Sequence, residues 1–443
     1  MKNYPSIGVQ IPDTFLPARH INLEKWAVIA CDQYTSEPGY WEDVTHFVGN
    51  SPSTLHLILP EVYLGKPEEA QKVISINNHM KQYLEDGTLQ PQDHTIYVER
   101  TVDGKVRRGL MMALDLEKYD FSKGSQSLIR ATEGTILDRL PPRMRIRKDA
   151  PLELPHILVL IDDPEDVVIG AVEAEKSTLP VVYDFDLMKG SGHLHGRIVS
   201  EELESRILDG LQHLASPEVF YPKYDLSPDK GVLLFAVGDG NHSLATAKAI
   251  WEELKPVVEM DHPSRYALVE IENIHDRGLE FEPIHRVLFD VQGDPITRIR
   301  EYAGSRAHFE RLENPALLRA RVRQGSVDCH MIGMITPDAY YLVSIAKPSA
   351  NLPVGSLQPI LDAWLKADSA TQIDYVHGDE IVFNLGSQVG NAGFYLPAMQ
   401  KSDLFRTVIL DGALPRKTFS MAEAMKNASI WKPGKLSDER RNR

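Results

Sequence analysis

The chain has 443 residues, 42% of them hydrophobic and 25% charged, which is ordinary for a globular protein and enough for two or three packed units. Its 48 basic and 63 acidic residues give a formal net charge of −15, which argues against broad electrostatic attraction to nucleic acid or anionic membrane and favours a small-molecule partner. Cys31 and Cys329 are the sole cysteines, so a disulfide framework and a cysteine zinc site are both excluded.

The opening residues, Met1 to Val9, carry no export signal, and no apolar run approaches the ~18 residues of a membrane span, so a cytoplasmic protein is expected. Trp26-Ala27-Val28-Ile29-Ala30 and Leu55-His56-Leu57-Ile58-Leu59-Pro60 read as short strands. Glu68 to Glu85 has helical spacing. Thr95 to Arg100 and Arg108 to Leu114, joined through Asp103-Gly104, read as a hairpin. Ile157 to Ile161 and Gly231 to Val237 are continuous apolar runs ending near acidic residues, the pattern of strands buried on both faces. Glu201 to His213 and Leu244 to Leu254 are helical, and Arg286 to Phe289 is a strand. A further helix (Asn314 to Gln324) and hairpin (His330 to Ile335, Tyr340 to Ile345) follow.

This order predicts an α+β fold with a mixed sheet and flanking helices. The expected division is a main α+β domain over 1–290, a smaller C-terminal α+β region over 291–425 and a disordered tail over 426–443.

Asp239-Gly240-Asn241-His242-Ser243 lies between the second buried run and a helix with Leu244, Ala247, Trp251 and Leu254 on one face. A glycine turn at a helix start presents backbone N–H groups and the positive end of the helix dipole, a physical recipe for holding phosphate or carboxylate. Asp239 adds an acceptor or metal ligand, and His242 a proton-transfer group or an anion donor. The plainer reading makes Asp239 or Asn241 a helix cap, with His242 bonded locally.

Several other groups invite chemistry. Arg139, Arg143, Arg145 and Arg147 place four guanidinium groups within nine residues, suited to phosphate or carboxylate or, more plainly, to surface carboxylates. Asp184 and Asp186, two apart on a strand, point the same way and are placed to share Mg²⁺, although turn capping explains them as well. His275-Asp276, His285-Arg286 and His377-Gly378-Asp379 are further polar clusters. Cys31, with no identifiable base, reads as a small buried hydrophobe.

From about Pro5 to Ala424 the chain resembles the bacterial and archaeal family DUF1015. Asp239 to Ser243 with Thr246-Ala247 is similar to that family's Asp-Gly-His-His-Arg followed by Thr-Ala, with Asn241 and Ser243 standing for the His and the Arg. Arg130-Ala131-Thr132-Glu133-Gly134-Thr135, followed by Asp138-Arg139, resembles its His-Glu-x-Thr and Asp-Arg, with Thr132 for the His. Pro283-Ile284-His285-Arg286 matches a Pro-x-His-Arg element.

The central turn also resembles the Asp-Gly-x-His-Arg element of the ParB/sulfiredoxin-like superfamily, whose turn holds nucleotide phosphates. That likeness implies a ParB/sulfiredoxin-like core that binds ADP or ATP with Mg²⁺ and transfers a phosphoryl group to a small hydroxylated metabolite. Glu133, Asp239 and His242 would be catalytic, with Asp239 also the metal ligand. Thr135, Arg139, Gly240, Asn241, Ser243, His285 and Arg286 would bind substrate or phosphate, Arg139 or Arg286 replacing the arginine absent at Ser243. The alternative it implies is a nucleotide-binding regulatory protein, or a slow hydrolase with no metabolite acceptor.

Overall fold

A computed structural model describes residues 2–29, 37–154 and 157–421. The fold is mixed α+β, and the described residues divide into two compact units, one drawn from residues 2–279 with 400–416 and the other from residues 280–399 with 417–421.

The first unit is built on one large mixed sheet. Its strands lie in the order Val181–Asp186, His193–Ile198, Ile96–Val102, Lys105–Asp115, Tyr266–Asn273, Leu158–Ile161, Phe235–Asp239, Ile129–Ala131 and Tyr119–Asp120. The Ile96 to Asp115 hairpin turns at Asp103 and Gly104, both at positive φ. Leu158–Ile161 is central and takes both neighbours, parallel to Tyr266–Asn273 and antiparallel to Phe235–Asp239. Burial on both faces explains its unbroken apolar run: Val159, Leu160 and Ile161 are all inaccessible.

One core cluster joins Val159, Phe235, Val237 and Ile271 of the sheet to two helices. Leu203, Ile207 and Leu211 come from Glu201–Ala215, and Leu244, Ala247 and Trp251 from Asn241–Leu254. The first of these helices begins at Ser200, whose Oγ accepts from Leu203 N at 3.3 Å, with three glutamates in its opening turn. The second is fixed at its far end by Glu117, which accepts from Trp251 Nε1 at 2.6 Å and from Lys255 Nζ. The last helix of this unit, Lys401–Asp411, buries Leu404, Phe405, Val408 and Ile409.

The second unit carries an antiparallel sheet in the order Ala307–Leu312, Tyr340–Ala346, Cys329–Ile335, Ala392–Tyr395, Phe281–Phe289 and Gln372–His377, with Phe419–Met421 paired to the start of Phe281–Phe289. Helices Pro295–Ala303 and Pro315–Gln324 each begin with proline, behind Asp294 and Asn314 respectively as side-chain caps.

Two expected strands are not strands. Trp26 ends a short helix, Leu23–Trp26, capped by Asn22, and Ala30 lies outside the described residues. The Leu55 to Pro60 segment starts as a 3₁₀ turn, Thr54–His56, because Ser53 Oγ accepts from Leu55 N at 3.2 Å. Leu57 and Leu59 instead meet Ile76, Met80 and Tyr83 of helix Glu69–Glu85 in a local cluster. Among the described residues no helix is long and apolar enough to cross a membrane. The expected tail over 426–443 lies outside the described residues.

Candidate functional site

Strand Phe235–Asp239 delivers the central turn to the sheet edge. Gly240 follows at φ +81°, and a Cβ there would stand 3.1 Å from Ile157 Cα, so both backbone conformation and clearance require glycine. Helix Asn241–Leu254 starts at once, with Gly240 as its N-cap and no acidic residue in its first turn, so its own side chains leave the positive end of the dipole unneutralised. Asp239 is exposed, and its Oδ1 accepts from Gly240 N at 2.7 Å.

The second part of the site arrives because Ile129–Ala131 lies parallel to Phe235–Asp239. Parallel neighbours end at the same edge, so the loop after Ala131 emerges beside the turn. Asn241 clasps it: Oδ1 accepts from Thr132 N at 3.2 Å and Nδ2 reaches Thr132 Oγ1 at 3.4 Å, while that hydroxyl donates to Val237 O at 2.6 Å. Thr132 and Asn241, both departures from the resembled motif, are thus partners of one another.

Four residues on, Ile136 N donates to His242 Nε2 at 3.3 Å. An accepting Nε2 requires a neutral ring with its proton on Nδ1. On the far side, Leu414 N donates to Thr132 O at 2.7 Å, and Glu133 and Leu414 form a parallel bridge. The structure therefore brings Glu133, Thr135, Asn241 and His242 to one edge with Asp239 and Gly240. Glu133 and Thr135 are half-buried, as is Ser243, and Thr135 Oγ1 is buried without a hydrogen-bond partner. Arg139 belongs to the same stretch, on the turn Leu137–Arg139.

Asn241 was expected to bind phosphate, but its amide is spent on Thr132, and its role here is to hold the loop. His285 and Arg286 lie in the second unit, both with no accessible surface. Arg286 donates to Gln358 Oε1 at 3.1 Å and to Ile284 O, and stacks on Tyr375. His285 Nδ1 accepts from Leu396 N at 3.1 Å, and its Nε2 lies 3.6 Å from Asp379 Oδ1. A buried guanidinium bonded to its own core offers no face to a ligand phosphate, so Arg286 does not replace the missing arginine.

The remaining groups have local partners. Arg145 and Arg147 of helix Leu140–Arg147 pair with Glu69 and Glu153. Asp184 and Asp186 do not await a metal: His193 lies between them, Nε2 2.6 Å from Asp184 and Nδ1 2.8 Å from Asp186, and these bonds raise the pKa of its imidazole above the usual range. Asp379 opens helix Asp379–Gly386 and is paired with Arg323. Cys31 lies outside the described residues.

One more cluster, around His275, is assembled by the fold from distant parts of the chain. Buried Asp162, just past Leu158–Ile161, meets His275 Nε2 at 2.6 Å, Lys223 Nζ at 2.8 Å and Tyr224 OH at 2.5 Å. Burial pushes its pKa up, but these bonds outweigh it and hold the carboxyl below the ordinary range. Its partners come from 61 to 113 positions away, beyond any motif window.

Taken together, these features define a mixed α+β protein with a loop-and-turn site at a helix start. The family described as "Protein of unknown function (DUF1015)" matches residues 15–364, and the chain belongs to that family. A search of curated proteins finds no match. Among solved structures, similarity extends to a glutamate-to-alanine mutant of a free serine kinase in complex with ADP, at 10% identity and TM-score 0.38, covering 72% of this chain and 88% of that one. The same mutant with AMP gives 10%, TM-score 0.37 and the same coverage. A conserved hypothetical protein from Pyrococcus furiosus gives 11%, TM-score 0.35, and 72% and 91% coverage.

Proposed function

We propose that this protein is a nucleotide-dependent phosphotransferase, with a core of the ParB/sulfiredoxin type, that moves a terminal phosphoryl group to the hydroxyl of a small metabolite. The observation that carries the reading is the bonding of Asn241 to Thr132 and of His242 to Ile136, which sets a carboxylate loop against a glycine turn at a helix start. Phosphoryl transfer asks for that pairing: donors that hold charged oxygens, and a base near the incoming hydroxyl.

In this reading Gly240, Ser243 and the start of the helix face the phosphates, and Arg139 supplies positive charge from the adjoining turn. Thr135 offers its hydroxyl from the loop. Glu133 accepts the proton of the acceptor hydroxyl. No group of three or more His, Cys, Asp or Glu among the described residues is arranged to hold a metal ion. Asp239, exposed and with Oδ1 used in the turn, fits the looser manner in which Mg²⁺ is held by one carboxylate together with phosphate oxygens and water. His285 and Arg286 have no part in this site.

Calorimetry with ADP and with ATP, in Mg²⁺, tests the reading. The expected result is saturable binding that weakens at least tenfold in His242→Ala. Absence of binding by either nucleotide overturns it.

A further inference from the structure

We infer that Arg416 supplies the guanidinium that the central turn lacks at Ser243, so that a phosphate held by the turn is clamped from across the Glu133 loop. The inference rests on the phosphate reading of that turn and adds to it a binding residue from distant chain. Helix Lys401–Asp411 ends at Gly412, in the left-handed region at φ +82°, and Gly412 O accepts from Gly124 N at 3.4 Å. Two residues on, buried Leu414 donates through its N–H to Thr132 O at 2.7 Å and pairs in parallel with Glu133. Arg416 follows two residues later and is exposed. Thr418, two residues beyond it, is held in turn through its O, which accepts from Ile284 N at 3.4 Å. The exposed arginine thus lies between two anchored positions.

Strand pairing places its backbone. Strand Phe235–Asp239 runs beside Ile129–Ala131, and the chain continuing from Ala131 runs beside Leu414, all three in the same direction. Neighbouring strands lie about 4.8 Å apart and advance about 3.3 Å per residue. Leu414 is therefore about 10 Å to the side of the strand that delivers the turn, and Arg416 about 7 Å further on, in the direction in which that strand ends and the turn begins. One arginine side chain and one phosphate span a gap of that width. Opposite it, helix Asn241–Leu254 opens with no acidic residue, so an anion there meets backbone N–H groups on one side and a planar, permanently charged fork on the other. Arg286 is closed into its own core and Arg147 is bonded to Glu153, whereas Arg139 lies on the loop's own turn.

The test titrates ADP, with Mg²⁺, into the intact wild-type chain and into Arg416→Ala, Arg416→Lys, Lys417→Ala and the double variant Arg416→Ala with Ser243→Arg. Arg416→Ala should weaken ADP about tenfold or more and leave the melting temperature and the hydrogen-exchange protection of residues 129–136 unchanged. Arg416→Lys should recover part of the loss, since an ammonium keeps the charge without the fork. Lys417→Ala, which removes the adjacent charge, should bind as the wild type does, and Ser243→Arg should restore binding to Arg416→Ala. With the wild type binding, unchanged affinity in Arg416→Ala, an equal loss in Lys417→Ala, lost protection over residues 129–136 or absence of rescue by Ser243→Arg overturns the clamp and leaves the phosphate turn standing. Failure of the wild type to bind ADP overturns the turn and the clamp together.

Discussion

Replacing Asn241 with alanine removes the acceptor for Thr132 N–H, and the cost follows from burial. Thr132 is 1% exposed, so water cannot take the place of Asn241 Oδ1. A buried donor left without an acceptor costs about 1–3 kcal/mol, whereas the Nδ2 contact at 3.4 Å is too long to add much. Since about 1.4 kcal/mol is tenfold in an equilibrium constant, local opening of the loop should rise roughly 5- to 150-fold. Hydrogen exchange read by mass spectrometry over residues 129–136 measures this directly. Asn241→Asp keeps the acceptor oxygen and should exchange within a few-fold of wild type. Unchanged protection in Asn241→Ala, or equal loss in both variants, would refute the clasp as the element that holds Glu133 beside the turn.

If Glu133 is the base, Glu133→Gln should lower turnover about 10²- to 10⁴-fold with little change in nucleotide affinity, since the amide keeps the shape and loses the proton acceptor. Loss of affinity with turnover intact would assign Glu133 to binding instead. In the second unit, burial holds the His285 imidazole below its ordinary pKa against the opposing pull of Asp379. The folded pKa is thus depressed below the unfolded value of about 6.5. The unfolded state therefore takes up the proton first as pH falls, and stability, intact above about 6.5, declines below it by at most about 1.4 kcal/mol per pH unit for this one group. Urea unfolding at pH 7.5 and 5.5 checks the sign, and His285→Asn, which retains an acceptor in the side chain, should flatten the dependence.

Elements whose signals are local are legible in the amino-acid order alone. The Glu69–Glu85 and Glu201–Ala215 helices follow from apolar spacing and, for the second, Ser200 and its acidic first turn. The hairpin at Asp103-Gly104 follows from turn chemistry, and Leu158–Ile161 from an apolar run that only two buried faces accommodate. The glycine turn and the helix after it were legible for the same reason: Gly240 is constrained within a few residues of chain. Trp26 and Leu55 to Leu59 differ from the strands expected there because a five- or six-residue apolar run satisfies strand and helix alike. Asn22 and Ser53, by capping, decided between them.

What stands beside the turn depends on long-range pairing. The parallel pairing of Ile129–Ala131 with Phe235–Asp239 joins residues more than 100 positions apart, and hydrophobic periodicity specifies that a strand is buried without naming its neighbour. The same pairing turned Asn241 from a ligand group into the partner of Thr132, and the second sheet buried Arg286 where its sequence context suggested a phosphate clamp. Side-chain chemistry is written in the residue, but its availability is set by what packs against it, and for these groups that partner comes from distant chain.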